Sequence, residues 1–197
     1  MVQGHIGVSD LYANTQIMTG EVAAGLGSSA AILYYNDVVT YPDNTTEPMD
    51  LQILPMPQSA GGQNTVTQAG VGLAALSTTP EKAEAASIFA HWLTEPRRNL
   101  DFVVETGYMP VTTGAFEAIS DYEFSQPSYA RLYDTLKTVR ENSISVTEPG
   151  TADYYGNVSR FYDALRAAQP RWEERSAAGE PVSTLEQECW ELFSNLA

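Results

Sequence analysis

Residues 66–111, VTQAGVGLAALSTTPEKAEAASIFAHWLTEPRRNLDFVVETGYMPV, limit the possible folds more than any other stretch, because their local signals agree with one another. The apolar run 71–76 predicts a buried strand. Ser77, Thr78, Thr79 and Pro80 then supply a helix start, in which Thr79 caps a free N–H and Pro80 occupies the first helical position, where no N–H is missed. In that helix Ala85, Ile88, Phe89 and Trp92 recur at spacings of three and four, which predicts a core-facing stripe, while Glu81, Lys82 and Glu84 face water. Thr94, Glu95 and Pro96 restart the pattern, and Leu100, Val103 and Val104 give a second helix its apolar face. Gly107 ends it, since glycine takes the left-handed position after a helix without a Cβ penalty, and Pro110 cannot continue it. Residues 108–111 therefore leave as extended chain, with Tyr108 at a junction where a ring can face a cleft.

The remainder reads as helices and short strands. Residues 8–18 predict a helix, Thr19, Gly20 and Glu21 a turn, and 22–27 a strand of small residues that a backbone or ligand can approach closely. Ser28 and Ser29 follow, where a helix over 30–35 can begin; one hydroxyl can cap that helix, or both can face ligand oxygens beside its free N–H groups. Residues 42–48 form a polar loop, 51–55 a short strand, and 58–65, with Gly61 and Gly62, a flexible connector suited to a hinge. A short helix over 114–120 precedes one over 127–140, whose stripe is Tyr129, Leu132, Tyr133, Leu136 and Val139. Residues 142–156 are irregular, and a helix starting at Asn157 or Ser159 runs to Ala168 on Phe161 and Leu165. The last helix, 182–196, carries Leu185, Cys189, Leu192 and Phe193 as its apolar stripe.

The order of strand, capped helix, second helix and TGYMPVT resembles the C-terminal half of an extracellular solute-binding protein of a bacterial ABC importer, in the branch that takes carbohydrates or glycerol 3-phosphate. MTGEVAAGLGSSAAI at 18–32 resembles the short-residue strand and turn ahead of that family's hinge, and LQILPMP at 51–57 the strand leading towards it. The resemblance implies an α/β fold of periplasmic-binding-protein type II, helix-rich and incomplete. Residues 1–65 would be a second-lobe segment, 66–116 a crossover segment belonging to the first lobe, and 117–197 a helical return into the second lobe. It implies capture of a sugar or phosphorylated polyol and its delivery to ABC permease subunits in the membrane, with lobe closure as the mechanism. No bond is broken in that task, so no catalytic residue and no cofactor are expected. The family protein works outside the cytoplasm, in the periplasm or as a cell-surface lipoprotein. Met1 to Asp10 has neither basic n-region nor apolar h-region, so the expectation is that an N-terminal half with its export signal is missing from this sequence.

Candidate ligand contacts follow from two lines. Sugar sites stack flat aromatic faces on a pyranose and bond its hydroxyls at the rim. Tyr108, Tyr154 and Tyr155 fit, since each is expected in a loop beside glycine, whereas Trp92, Tyr129 and Tyr133 read as core. The resemblance puts the family's second serine position on Ser28 or Ser29, its strand glycine on Gly70 and its "TGY" tyrosine on Tyr108. A late "GN…R" element of the glycerol-3-phosphate branch falls loosely on Gly156, Asn157 and Arg160; Arg160 can grip a phosphate bidentately, or form a surface ion pair.

Charge and rare residues narrow the alternatives. A net charge of -15, from 25 acidic and 10 basic residues, argues against a nucleic-acid partner, which needs clustered Lys and Arg. The single cysteine excludes an internal disulfide and a thiolate cage, and with two histidines no metal site is expected. A carbohydrate-active or hydrolytic enzyme has little support: neither Ser28 nor Ser29 stands in a G-x-S-x-G elbow, and no carboxylate pair stands out. A non-catalytic helical interaction module on the same scaffold is the other reading.

Overall fold

The computed structural model describes residues 1–76 and 79–196, so Ser77 and Thr78 of the expected helix start lie outside the described residues. The chain packs as two units, one formed by Ala13–Glu148 and one by Met1–Tyr12 with Pro149–Ala197. Both are dominated by helices.

In the larger unit the elements are α1 (Ala13–Met18), a 3-10 turn (Ser29–Tyr34), β1 (Val38–Thr40), β2 (Thr46–Pro48), β3 (Thr65–Thr67), α2 (Pro80–Thr94), α3 (Pro96–Thr106), α4 (Thr113–Ala118), a 3-10 turn (Ile119–Asp121), α5 (Pro127–Asn142) and β4 (Ile144–Val146). Helix starts follow local chemistry. Pro80, Pro96 and Pro127 open α2, α3 and α5, and the hydroxyls of Thr79 and Thr112 accept from Lys82 N and Ala115 N at 3.4 and 3.2 Å. Gly107 closes α3 with φ +67°, as the sequence predicts. The core of this unit is Leu100 and Val103 from α3, Ala115 from α4, Ile119 and, from α5, Tyr133.

The expected strands are where sequence and structure part. Residues 22–27 and 51–55 carry no strand. Instead, α5 satisfies the second segment from its side: Arg131 Nη1 donates to Leu51 O at 2.7 Å and Thr135 Oγ1 to Ile53 O at 2.8 Å. Carbonyls two residues apart in extended chain are separated by about 6.6 Å, and helical residues four apart by about 6 Å, so the two donors match the two acceptors. The run 71–76 is not a buried strand either: Val71 and Leu76 are 81% and 85% exposed, and no backbone bond ties 69–76 among the described residues. α2 forms as predicted, but its stripe meets no core; Ile88 is 63% exposed, and Phe89 and Trp92 stack on each other with centroids 5.9 Å apart while Arg98 lies 4.9 Å from the Trp92 ring. A strand apolar on both faces needs a sheet beside it and layers above and below, and the described residues of the unit do not supply them.

Elsewhere the segment read as a polar loop closes an antiparallel hairpin, with Val38 opposite Pro48 and Thr40 opposite Thr46. Asp43 Oδ1 accepts from Thr45 N and its hydroxyl, and Asn44 takes φ +63°. Within the irregular 142–156, β4 pairs in parallel with β3, Val66 opposite Ser145. The helix expected over 8–18 is confined to α1, and the one over 30–35 is a 3-10 turn.

The smaller unit is α6 (Tyr154–Ala177) packed on α7 (Val182–Leu196), with the N-terminal segment laid against α6. Its core is Val2, Leu165, Ala168, Trp172 and Leu185, with Cys189 half-buried beside it, in the apolar role its stripe predicts. Gln169 holds the N-terminal segment by accepting from Val8 N at 3.2 Å and donating to Ile6 O at 3.1 Å. α6 starts earlier than predicted and continues past Pro170 to Ala177. Arg175 sits between Glu180 and Glu188, donating to Glu180 Oε2 and Glu188 Oε2 at 2.7 Å each, and Trp172 Nε1 donates to the same Glu188 oxygen at 3.1 Å.

Candidate functional site

The larger unit brings two of the sequence-predicted segments together. A Cβ at Gly107 would lie 2.8 Å from Ala30 Cα, 2.9 Å from Ile32 Cγ2 and 3.0 Å from Ser29 O, so the backbone after α3 rests directly on the serine turn. Only glycine meets both demands at this position, a left-handed φ and a contact with backbone atoms that cannot move aside. Tyr108 follows, half-buried against the α3–α4–α5 core. Tyr133, fully buried, donates its hydroxyl to Val103 O at 2.9 Å and Tyr108 O at 3.2 Å, and burial pushes its pKa above the ordinary tyrosine value. Asn99 Oδ1 accepts from Val111 N at 3.0 Å.

On the other side of this corner, Ser28 precedes the 3-10 turn with extended backbone (φ -76°, ψ 162°) and makes no capping bond with its side chain. Its carbonyl accepts the first bond of the turn, from Ala31 N at 3.0 Å. The capping reading is thereby corrected for Ser28, whose hydroxyl takes up none of the turn's N–H groups. Ser29 joins the corner through its carbonyl oxygen, which faces Gly107, and Ser28 precedes it in the chain. Gly70 does not join them. It lies in the exposed 69–76 segment, and a Cβ there would meet nothing within 4 Å, so no close approach explains a glycine at that point.

Tyr154, Tyr155, Asn157 and Arg160 belong to the smaller unit. The loop expected for the two tyrosines is a helix: they are the first residues of α6, ring to ring in a T-shaped contact at 5.3 Å, with Tyr155 71% exposed. Asp153 turns the chain into α6 with φ +67° and folds its carboxylate back over the first turn, where a Cβ on Gly156 would collide with it. Arg160 Nη2 donates to that carboxylate at 2.9 Å and also to Asn157 Oδ1. Of the two roles open to Arg160, the structure shows the surface ion pair.

Asn99 is missed by sequence reasoning, because its position on α3 lies beside apolar residues and carries no motif; Tyr133 is read as core, which it is, but its hydroxyl has a second task. Two clefts are also lined by residues without a sequence signal. One, of about 450 Å³, is bounded by Phe116, Ser120, Lys137 and Arg140 with Glu117 and Glu141, and Arg140 lies 4.4 Å from the Phe116 ring centroid. The other, of about 230 Å³, lies over Trp172 between Arg171, Arg175 and Glu188. Among the described residues there is no group of His, Cys, Asp and Glu arranged to hold a metal, and no helix long and apolar enough to cross a membrane.

A family model for bacterial extracellular solute-binding proteins matches residues 7–126, which is more than half of the 197-residue chain and includes Ser28, Ser29, Gly70 and Tyr108. No curated protein and no solved structure matches it.

Proposed function

The chain belongs to the bacterial extracellular solute-binding proteins, and from that membership we propose that it is the substrate-binding component of a carbohydrate ABC importer, capturing a sugar or glycerol-3-phosphate-like polyol for delivery to a membrane permease. Family membership itself implies a small-molecule ligand, a transporter as partner and work outside the cytoplasm. The family is generally non-enzymatic. The observation that carries the finer reading is the corner where Gly107 packs on Ser29 and Ala30, since it unites residues from two distant segments within the matched region. In this reading Ser28 and Ser29 supply hydroxyls to the ligand, and Tyr108, half-buried against the core, an aromatic ring. Small polar groups and one aromatic are what a sugar site combines.

Residues 66–116 act in this reading as a crossover into the first lobe, flanked by second-lobe segments 1–65 and 117–197. The uncovered 71–76 run and the exposed α2 stripe support it, since both are apolar surfaces written for a sheet and a layer to be laid against them. The same exposed stripe favours the second reading, a helical interaction module. Tyr154, Tyr155, Asn157 and Arg160 are proposed as ligand contacts of the smaller unit taken by itself. The Arg160–Asp153 pair is exposed and worth about 0–1 kcal/mol, so a ligand phosphate could displace the carboxylate at little cost.

The test is a thermal melt of the chain alone and with maltose, with monosaccharides and with glycerol 3-phosphate. A ligand at about a hundred times its dissociation constant stabilises by roughly 2.7 kcal/mol, a rise of several degrees. A shift with a sugar supports the proposal and one with glycerol 3-phosphate selects the phosphorylated branch. A cooperative melt unmoved by every ligand in the panel counts against it and for the interaction module.

A further inference from the structure

Asn99 is the buried polar residue of the core among the described residues, 3% exposed on a helix face otherwise occupied by Leu100 and Val103. A leucine would fill that place without an amide to desolvate, so the amide needs a reason. Its oxygen receives the N–H of Val111. Tyr133 poses the same question from α5: a phenylalanine would pack equally well, yet a hydroxyl is buried there and shared between Val103 O, on the last turn of α3, and Tyr108 O. The two bonds bracket residues 108–110, which have no regular secondary structure of their own. From the opposite side the same stretch is pressed, through Gly107, on the turn that starts at Ser29.

We infer that Asn99 and Tyr133 are positioning residues, which act through the backbone of Val111 and Tyr108 to hold the Gly107–Tyr108 turn against Ser29 and Ala30 in a preformed ligand corner. Neither touches the solute. The inference rests on the reading that this corner is where the solute binds, and its geometry is independent of which solute that is. A corner tethered at both ends loses little freedom on binding, and preorganisation of this kind appears as affinity.

The test combines residue-resolved amide exchange with binding of maltose and of glycerol 3-phosphate, measured well below the melting temperature. Three variants are compared with the wild-type chain: Tyr133→Phe, Asn99→Leu and, as a core control, Ile119→Val. One hydrogen bond is a factor of about five in an equilibrium constant. Asn99→Leu is expected to speed exchange at Val111 by about that factor or more, and Tyr133→Phe to weaken whichever ligand the wild type binds by about the same factor. Ile119→Val lowers the melt and leaves both unchanged, which a merely structural role for the other two would also do. Unchanged Val111 exchange in Asn99→Leu, or unchanged affinity in Tyr133→Phe, overturns the inference. Should the wild type bind neither ligand, the functional reading fails separately, and Val111 exchange still decides whether the tether exists.

Discussion

Replacing Gly107 by alanine isolates the contact on which the candidate corner depends. The substitution adds one methyl group at φ +67°, and that methyl would meet Ala30 Cα at 2.8 Å, Ile32 Cγ2 at 2.9 Å and Ser29 O at 3.0 Å. Holding an L residue in the left-handed region costs about 1–2 kcal/mol. Two of the three contacts are backbone atoms of a wound turn, which cannot rotate away, so overpacking adds about 1–3 kcal/mol. The sum, about 2–5 kcal/mol, is a large part of a typical stability of about 5–15 kcal/mol. Gly61 supplies the control within the same unit, having φ +74° but nothing within 4 Å of its would-be Cβ. Gly61→Ala is therefore expected to lose only the conformational cost. Urea unfolding of the two variants and the wild type, followed by tryptophan fluorescence and checked for an unchanged m-value, gives the difference directly. If Gly107→Ala loses no more than Gly61→Ala, the turn after α3 does not lie on the serine turn and the corner is not formed.

Two further outcomes follow from the packing. Glu180 and Glu188 are both held below the ordinary carboxylate pKa, chiefly by hydrogen bonds from Arg175 and, for Glu188, from Trp172 as well. A lowered folded-state pKa means that their stabilisation is complete above the unfolded value and is lost as pH falls through the folded one. The α6–α7 unit should therefore lose stability below about pH 4.3, and Glu188→Gln should weaken that dependence in acid melts; an unaltered acid limb would contradict the network. Ile88→Ser, on the exposed stripe of α2, should change stability by no more than about 0.5 kcal/mol in the same urea assay; a loss above about 2 kcal/mol, the range of a buried aliphatic, would mean that the stripe is covered in solution.

The helices were legible because their signals are local. Pro80, Pro96 and Pro127 open α2, α3 and α5, Thr79 caps α2, and Gly107 closes α3, each through chemistry that involves only the neighbouring turn. α6 misled for an equally local reason. Gly150 and Gly156 read as loop residues, yet Gly156 lies inside the helix, where it makes room for the Asp153 carboxylate. That error moved Tyr154 and Tyr155 from an expected loop into the first turn of α6. At the site, Gly107 and Tyr108 announced themselves by turn chemistry, and the serines by their resemblance to the family pattern. Asn99 and Tyr133 did not, because their bonds reach 12 and 25 residues along the chain, to Val111 and Tyr108.

The strands failed together, and their common cause bears on function. A helix satisfies its own backbone, so α2 forms with its apolar stripe exposed; a strand is completed only by a neighbour, so 71–76 has the composition of a strand without its structure. Where a neighbour exists the chain uses it, as β3 does in pairing with β4, and 51–53 in taking bonds from Arg131 and Thr135. The two uncovered surfaces are consecutive in sequence and both apolar, which fits one covering layer better than two unrelated exposures. The candidate corner lies in the same unit and is held by bonds within it, since Gly107 meets residues 29–32, Asn99 bonds Val111, and Tyr133 bonds Val103 and Tyr108. In the proposed reading, a corner held within a unit that leaves the α2 stripe and the 71–76 run uncovered would be one wall of a two-walled binding cleft.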